Sequence, residues 1–193
     1  GKTLVSSNLS SLLSSKAKVL LLGSDLRNPQ IHKLINVSKD LPGLSNYIFK
    51  DDIKWKDLLL NYDNLDIMLS GAIPPNPTDL LVSEKFGNFI EEVKKEYDYV
   101  IIDSAPCLLV SDTIEISRYS DSTVYVVRSN YSTKNLISFI NELKDKGSLV
   151  NMNLVLNAVG NSGKYGYKYG YQYGYQYGYK YGYKYNYGYG YGY

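Results

Sequence analysis

Apolar positions near the start of the chain follow two successive patterns. In GKTLVSSNLSSLLS, Leu4, Leu9, Leu12 and Leu13 recur at the spacing of a helix, and the apolar run VLLL comes soon after. Helical spacing predicts an amphipathic helix, whereas a short continuous apolar run is typical of a strand buried in a parallel sheet. A helix followed by a strand is the second half of a βαβ unit. We therefore predict an α/β fold with a parallel sheet flanked by helices, whose first strand precedes Gly1.

The predicted helix begins with Gly1, Lys2 and Thr3, which match the end of the phosphate-binding pattern G-x-x-x-x-G-K-[ST]. In such a phosphate loop the backbone amides surround the phosphates, the lysine reaches the β and γ groups, and the hydroxyl binds magnesium. The tripeptide alone fits a capped helix start equally well, but the helix and strand after it favour the phosphate loop. We expect a P-loop NTPase-like fragment that lacks its first strand and most of this loop.

Two predicted strands end in acidic residues. Val100, Ile101 and Ile102 lead into Asp103, and Asp25 follows the run VLLL. A carboxylate at the carboxyl end of a parallel strand faces the crevice where such sheets bind ligands, and Mg²⁺ prefers oxygen ligands there. Either aspartate alone fits a cap of the next helix. Together with the Gly-Lys-Thr helix start, the two aspartates indicate a nucleotide site.

Composition and charge separate the end of the chain from the rest. The 193 residues carry a formal net charge of +2 and one cysteine, Cys107, which fits the cytosol. No apolar run approaches the roughly 20 residues that cross a bilayer, and no signal peptide is visible. The segment from Lys164 onward holds four lysines and no acid, which leaves −2 for the remaining residues. The body is therefore predicted to be acidic and the end basic.

Tyrosine occupies every second position of the final segment, and only Gly, Lys, Gln or Asn lie between. These tyrosines are Tyr165, Tyr167, Tyr169, Tyr171, Tyr173, Tyr175, Tyr177, Tyr179, Tyr181, Tyr183, Tyr185, Tyr187, Tyr189, Tyr191 and Tyr193. No aliphatic side chain offsets an ordering cost of roughly 1 to 2 kcal/mol per residue. We predict one domain over residues 1–162 and a disordered, tyrosine-rich tail over residues 163–193.

Several motifs together resemble one family. KVLLLGSDLRNPQIHKL, LPGLSNYI, LSGAIPPNPTDLL, YDYVIIDSAPCLLVSDT and LVLNAVG follow, in order and spacing, the bacterial tyrosine kinases that regulate capsule and exopolysaccharide export. SDLRNP and GAIPPNPTDLL are the most specific elements, because related ATPases generally lack them. The family also has a terminal tyrosine cluster. The resemblance therefore implies that the tail is the kinase's own substrate and is phosphorylated in trans.

The resemblance also implies roles for the residues of the predicted nucleotide site. Lys2 would neutralise the β and γ phosphates of ATP, and Gly1 would contribute to the phosphate loop. Thr3 would bind Mg²⁺, and Asp25 and Asp103 would hold the metal directly or through water. Phosphoryl transfer requires mainly positioning and neutralisation of charge, so such a small set of groups suffices.

Further assignments rest on the same resemblance. Asn157 matches a residue near the adenine, although a polar residue that ends a strand is an equal alternative. Arg27 is a candidate catalytic residue that contacts phosphate or a carboxylate, and a structural ion pair explains it equally well. Gly23 replaces the first acid of the family pattern D-x-D-x-R, a candidate base, so either Asp25 takes over this role or activity is reduced. His32 and Cys107 are predicted to serve in packing.

The resemblance further implies partners and a location. It implies a membrane-bound activator, the polysaccharide co-polymerase, either encoded separately or fused upstream, and a ring-shaped homo-oligomer at the inner face of the cell membrane. No nucleic-acid partner is expected. Two alternatives to the tyrosine kinase stay open from the sequence. One is an ATPase of the same fold that switches protein partners, and the other is a catalytically degenerate regulator whose tail self-associates or binds RNA by stacking.

Overall fold

A four-stranded sheet lies at the centre of the structure, a computed structural model that describes residues 1–129 and 134–159 without the side chains of residues 134 and 135. Its strands are Val19–Gly23 (β1), Leu59–Tyr62 (β2), Leu65–Met68 (β3) and Tyr99–Asp103 (β4), in the order β2-β3-β1-β4. Strand β1 pairs in parallel with β3 and β4, and Thr123–Arg128 (β5) pairs in parallel with Met152–Asn157 (β6). The prediction of an α/β fold with a parallel sheet is confirmed.

Helices connect the strands along the chain. They are Lys2–Leu13 (α1), Ile31–Leu34 (α2), Leu44–Phe49 (α3), Pro77–Val82 (α4), Glu84–Glu96 (α5), Asp112–Ser117 (α6) and Lys134–Asp145 (α7), with a 3₁₀ turn at Trp55–Leu58. Helix α5 shows the sequence signals that are typical of the start and the end of a helix. Ser83 caps it by accepting a hydrogen bond from the Phe86 N–H at 3.2 Å, and lysines close its last turn.

The central strand β1 is buried along its whole length, which explains its continuous apolar sequence. Leu20 and Leu22 project to one face, where they join a core that includes Phe86 and Phe89 of α5. Leu21 projects to the opposite face and packs in a smaller cluster with residues that include Ile31 and Ile67. Alternation along the strand thus fills both faces of the sheet.

Helix α1 forms where the leucine spacing predicts it, but it does not bury its leucines as an amphipathic helix would. Leu4 is 48% exposed and Leu12 is 71% exposed, whereas Ser10 is fully buried. The Ser10 hydroxyl donates to the carbonyl oxygen of Ser6 at 2.8 Å, so its burial leaves no unpaired donor. Small hydroxyl residues let α1 lie close to the sheet.

Strand β2 departs from the parallel pattern because it forms a hairpin with β3. The two strands pair antiparallel, and Tyr62 lies opposite Leu65. Asp63 lies between them with φ of 54°, a left-handed conformation that Asp tolerates better than most residues. This hairpin places an antiparallel edge strand beside β3.

Residues Gly1–Asn157 form one compact unit. The predicted tail at 163–193, with all of its tyrosines, lies outside the described residues, so the boundary at 162 stays a prediction. Within 1–129 and 134–159, no helix is both long and apolar enough to cross a bilayer.

Candidate nucleotide site at the carboxyl edge of the sheet

The ends of β1 and β4 meet at one edge of the sheet. Gly23 pairs with Asp103 in the parallel ladder. Beyond this pair, the Asp103 carbonyl oxygen accepts hydrogen bonds from the N–H groups of Ser24 at 2.9 Å and Asp25 at 3.1 Å. The Ser24 hydroxyl donates to the same oxygen at 3.1 Å. The loop after β1 is therefore fixed on the end of β4, which brings Asp25 and Asp103 together.

The Asp103 side chain lies under the start of α1 and is 4% exposed. Its burial raises its pKa, and the negative charge of Asp25 acts in the same direction. Hydrogen bonds with Thr3 and Ser6 and the positive charge of Lys2 oppose that rise without cancelling it. A carboxylate that is costly to ionise is thus held among the groups that would stabilise its negative charge.

Asp25 is oriented by its own loop. Its Oδ1 accepts hydrogen bonds from the backbone N–H groups of Arg27 at 3.2 Å and Asn28 at 2.9 Å. An aspartate that accepts from N–H groups two and three residues later closes a tight turn. The side chain is 9% exposed, so its direction is set by the backbone rather than by solvent.

The Arg27 side chain extends away from that turn to a buried carboxylate. Its Nε donates to Asp112 Oδ2 at 2.8 Å, and its Nη2 donates to Asp112 Oδ1 at 3.1 Å and to Thr78 Oγ1 at 2.9 Å. Thr78 Oγ1 in turn donates to Asp112 Oδ1 at 2.7 Å. Burial opposes ionisation of Asp112, yet the hydrogen bonds from Arg27 and Thr78 and the charge of Arg27 lower its pKa below the usual range. In the structure, the carboxylate contact anticipated for Arg27 is the one with Asp112.

Gly23 leaves no room for a side chain without an adjustment of its neighbours. A Cβ at this position would lie 2.8 Å from Ser70 Oγ, 3.0 Å from the Ser70 backbone nitrogen and 3.3 Å from Ile31 Cδ1. The loop after β3 therefore fills the space where an acid in the first position of D-x-D-x-R would begin.

Gly1 and Asn157 lie against each other at the same edge. A Cβ on Gly1 would collide with the side-chain amide of Asn157 and would lie 3.8 Å from Val126 Cγ1. The end of β6 is thus next to the start of α1.

Comparison with known proteins identifies the family that carries this site. Residues 1–156 match the protein family described as AAA domain. The chain is 32% identical to tyrosine-protein kinase Wzc of Salmonella typhimurium over 161 residues, which cover 82% of this chain and 22% of Wzc. It is 32% identical to tyrosine-protein kinase CpsD of Streptococcus agalactiae over 173 residues, which cover 86% of this chain and 75% of CpsD. The chain belongs to the bacterial tyrosine-protein kinases.

Solved structures agree with this membership. The kinase domain of VpsO superposes with a TM-score of 0.75 at 30% identity, covering 82% of this chain and 78% of that chain. The septum site-determining protein MinD of Pyrococcus horikoshii, complexed with Mg-ADP, superposes with a TM-score of 0.66 at 23% identity and shares the fold. The resemblance expected from the motifs is confirmed, and the chain spans 22% of the length of Wzc.

The side chains of this kinase-family site suit a magnesium nucleotide. Thr3, Asp25 and Asp103 supply hydroxyl and carboxylate oxygens, the ligand type that Mg²⁺ prefers. Within the part of the chain that the structure describes, no group of three or more His, Cys, Asp or Glu side chains could hold a metal ion by itself. A Mg²⁺ ion at Thr3, Asp25 and Asp103 would therefore depend on phosphate and water oxygens as well, as magnesium in nucleotide sites usually does.

Sequence reasoning about this kinase chain missed four polar residues around the site. Ser6 lies one helical turn after Thr3, and that spacing alone places it on the same face of α1. Ser70, Thr78 and Asp112 lie in LSGAIPPNPTDLL and SAPCLLVSDT, segments that carry the family resemblance but whose contacts depend on the fold. Of these four residues, only Ser6 could have been placed at the site from the sequence alone.

The sequence predicts packing roles for two further residues, His32 and Cys107. Burial lowers the pKa of His32, which lies in α2 beside a narrow cleft lined also by Pro29 and Ser70. Cys107 is half-buried in the loop after β4, and burial raises the pKa of its thiol. A thiol of raised pKa is a weak nucleophile near neutral pH.

Proposed function

We propose that this chain is the catalytic domain of an ATP-dependent protein-tyrosine kinase. The observation that carries the proposal is the buried Asp103 carboxylate at the end of β4, which lies close to Lys2 and Thr3 at the start of α1 and to Asp25. A lysine, a hydroxyl and a strand-end aspartate in this arrangement are the parts that P-loop enzymes use to bind ATP with Mg²⁺. The membership of the chain in the bacterial tyrosine-protein kinases directs that chemistry toward tyrosine.

Each residue of the site has a part in this proposal. Lys2 binds and neutralises the β and γ phosphates, and Gly1 belongs to the loop that surrounds them. Thr3, Asp25 and Asp103 hold the magnesium, and Asn157 lies on the side of the adenine. When bound, Mg²⁺ supplies neutralisation of charge on the phosphate oxygens. The protein's own contribution is to orient the γ phosphate and to exclude competing nucleophiles, for which the buried carboxyl edge is suited.

The tail over residues 163–193 supplies the acceptor hydroxyls in this proposal. Its tyrosines, from Tyr165 to Tyr193, alternate with small or polar residues, so the segment offers many phenols in similar sequence surroundings. Its four lysines are complementary to the net negative charge of the remaining residues. We propose that one subunit phosphorylates the tail of a neighbour in a ring-shaped homo-oligomer.

The wider role that we propose follows the relatives. The kinase regulates capsule or exopolysaccharide synthesis and export from the inner face of the cell membrane, together with a membrane-bound activator, the polysaccharide co-polymerase. No nucleic-acid partner is part of this proposal.

The test is incubation of the full-length protein with Mg-ATP, followed by detection with an antibody to phosphotyrosine. We expect a strong signal that is lost in Lys2→Ala, because the γ phosphate then lacks its main cationic contact. Hydrolysis of ATP without phosphotyrosine would favour a partner-switching ATPase of the same fold. Absence of both activities would favour a degenerate regulator.

Phosphorylation of the tail should act on assembly through its charge. Each phosphate adds roughly −1.5 to −2 charge near neutral pH, so two or three phosphates offset the four lysines and further ones repel the acidic body. We expect the ring to dissociate progressively as more tail tyrosines are available, whichever they are. Light scattering after incubation with ATP measures this in full-length variants with increasing numbers of tail Tyr→Phe substitutions.

The matched control is Tyr62→Phe, because Tyr62 is a tyrosine of the domain that is 47% exposed. Its removal should leave the assembly unchanged. Control of dissociation by one particular tail tyrosine, independent of the total number phosphorylated, would contradict the dependence on charge.

A further inference from the structure

Three loops at the carboxyl edge are joined by a single set of hydrogen bonds. In the sheet, β1 lies between β3 and β4, and each of these strands leads into a loop at this edge. Arg27 lies in the loop after β1, Thr78 lies at the start of α4 after β3, and Asp112 is the first residue of α6 after β4. The contacts of Arg27 with Thr78 and Asp112 therefore connect all three loops at this edge of the sheet.

The set is anchored on a buried carboxylate, and the Arg27 side chain that reaches it is 40% exposed. Asp112 is fully buried, and its two carboxylate oxygens both accept hydrogen bonds from the Arg27 fork. Thr78 accepts from Arg27 and donates to Asp112, so the three side chains close a ring of hydrogen bonds. An exposed ion pair contributes little, whereas a buried carboxylate requires its partners and fixes their geometry.

We propose that Arg27, Thr78 and Asp112 form a clamp that positions Asp25, so that Arg27 acts in phosphoryl transfer by fixing a loop and not by binding phosphate. The backbone N–H of Arg27 donates to Asp25 Oδ1. Arg27 therefore contacts Asp25 through its backbone and Asp112 through its guanidinium, which couples the Asp25 turn to the clamp. Fixing the side chain of Arg27 therefore fixes the carboxylate that faces the reaction. This inference rests on the proposed tyrosine kinase activity and deepens it.

The two roles for Arg27 predict different kinetics. A residue that binds the phosphates of ATP equally in the ground and transition states contributes to ground-state binding, so its loss raises the KM for Mg-ATP. A residue that contacts phosphate only in the transition state lowers kcat when it is lost, but its effect does not require Asp112 or Thr78. A residue that positions Asp25 contributes to the geometry of the transition state, and a misplacement of about 1 Å costs on the order of 10²-fold in rate. The clamp therefore predicts a loss in kcat with little change in KM.

The experiment measures kcat and KM for Mg-ATP in the full-length kinase carrying Asp112→Asn or Arg27→Lys. Asp112→Asn preserves shape and removes the charge that holds the Arg27 fork, and Arg27→Lys keeps the cation but removes bidentate geometry. We expect each variant to lose about 10-fold to 10²-fold in kcat, with KM within about twofold of the unaltered kinase. The double variant should lose little more than either single variant, because both changes release the same contact.

Two additional variants separate this effect from a general loss of stability. Glu115→Gln removes the ion pair between Glu115 and Arg118, which lies on the same helix region at 3.5 Å and is partly exposed, and it should leave kcat unchanged. Thr78→Val removes one hydroxyl from the clamp at nearly constant volume and should lower kcat less than Asp112→Asn does. Thermal unfolding, followed by circular dichroism, selects an assay temperature at which every variant is folded, and Thr78→Val decides the question if Asp112→Asn does not fold.

The outcomes distinguish the clamp from the activity on which it rests. An unaltered kinase that forms no phosphotyrosine overturns the proposed function. An active kinase in which Arg27→Lys raises KM and keeps kcat overturns the clamp, as does an Asp112→Asn or Thr78→Val variant with the kcat of the unaltered kinase. Loss of kcat at constant KM, without additivity in the double variant, supports it.

Discussion

Replacement of Gly23 by aspartate in the full-length protein should raise the rate of tyrosine phosphorylation by a factor on the order of 10². Gly23 lies where the family pattern D-x-D-x-R places its first acid, and glycine cannot accept the proton of an attacking phenol. Gly23 and Asp103 are in register, so a carboxylate at position 23 would project from the same face of the sheet as Asp103. The negative charge of Asp103 would raise the pKa of the new carboxyl group toward the range useful for a base.

The new side chain must first displace Ser70. Its Cβ would lie 2.8 Å from the Ser70 hydroxyl, which rotates, and 3.0 Å from the Ser70 nitrogen, whose residue is held by a hydrogen bond from Ser45 N–H to Ser70 O at 3.0 Å. Overpacking of this kind typically costs about 1 to 3 kcal/mol of folding stability. The domain should therefore become less stable while its phosphorylation rate rises.

Gly23→Ala is the matched control, because it introduces the same Cβ without the carboxylate. We expect it to lower the unfolding temperature as Gly23→Asp does, with no gain in rate. Adding Ser70→Ala to Gly23→Asp should recover part of the lost stability and keep the faster rate. If Gly23→Asp and Gly23→Ala phosphorylate equally slowly beside an inactive Lys2→Ala variant, the first acid is not the missing base, and Asp25 or another group already serves.

The affinity for nucleotide should depend strongly on the phosphate loop. A protein that begins at Gly1 should bind Mg-ADP at least about 10²-fold more weakly than one that also carries the strand and loop expected before Gly1. Each charge-assisted hydrogen bond from a loop amide to phosphate contributes about 1.5 to 3 kcal/mol, so loss of two such bonds already accounts for this factor. Lys2, as the first residue of α1, also loses the chain before it that would hold it in place.

Isothermal titration calorimetry of the two proteins with Mg-ADP measures the difference. Lys2→Ala in the longer protein provides the control, since it removes the phosphate-binding cation and keeps the loop. Micromolar binding by the protein that begins at Gly1 would mean that Lys2, Thr3 and the carboxyl edge suffice to bind the nucleotide.

Much of the fold could be predicted from the sequence because it depends on local patterns. The continuous apolar runs of β1 and β4 have few alternatives to buried parallel strands. The meeting of Asp25 and Asp103 follows from the rule that carboxyl ends of parallel strands share an edge. By contrast, the antiparallel edge strand β2 depends on one left-handed residue, Asp63, which its sequence pattern does not distinguish from an ordinary loop residue.

The remainder of the site could not be predicted, because its contacts join residues far apart in the chain. Arg27 contacts Asp112 across 85 positions and Thr78 across 51, and no periodicity relates these separations. The leucines of α1 suggested an apolar face, but Leu4 and Leu12 are exposed and Ser10 is buried, because a small hydroxyl residue permits a close approach and pairs with the backbone. Both features depend on tertiary packing and not on the local pattern.

Transfer of phosphate between two complementary variants tests the central claim most directly. One full-length variant carries Lys2→Ala with an intact tail, and the other keeps Lys2 but has its tail tyrosines, from Tyr165 to Tyr193, replaced by Phe. Mass spectrometry after incubation with Mg-ATP should find phosphate on the tail of the Lys2→Ala chain only when both variants are mixed. A mixture without tail phosphate, under conditions where the unaltered protein is folded and binds Mg-ATP, would contradict the account of a kinase that phosphorylates its neighbour's tail.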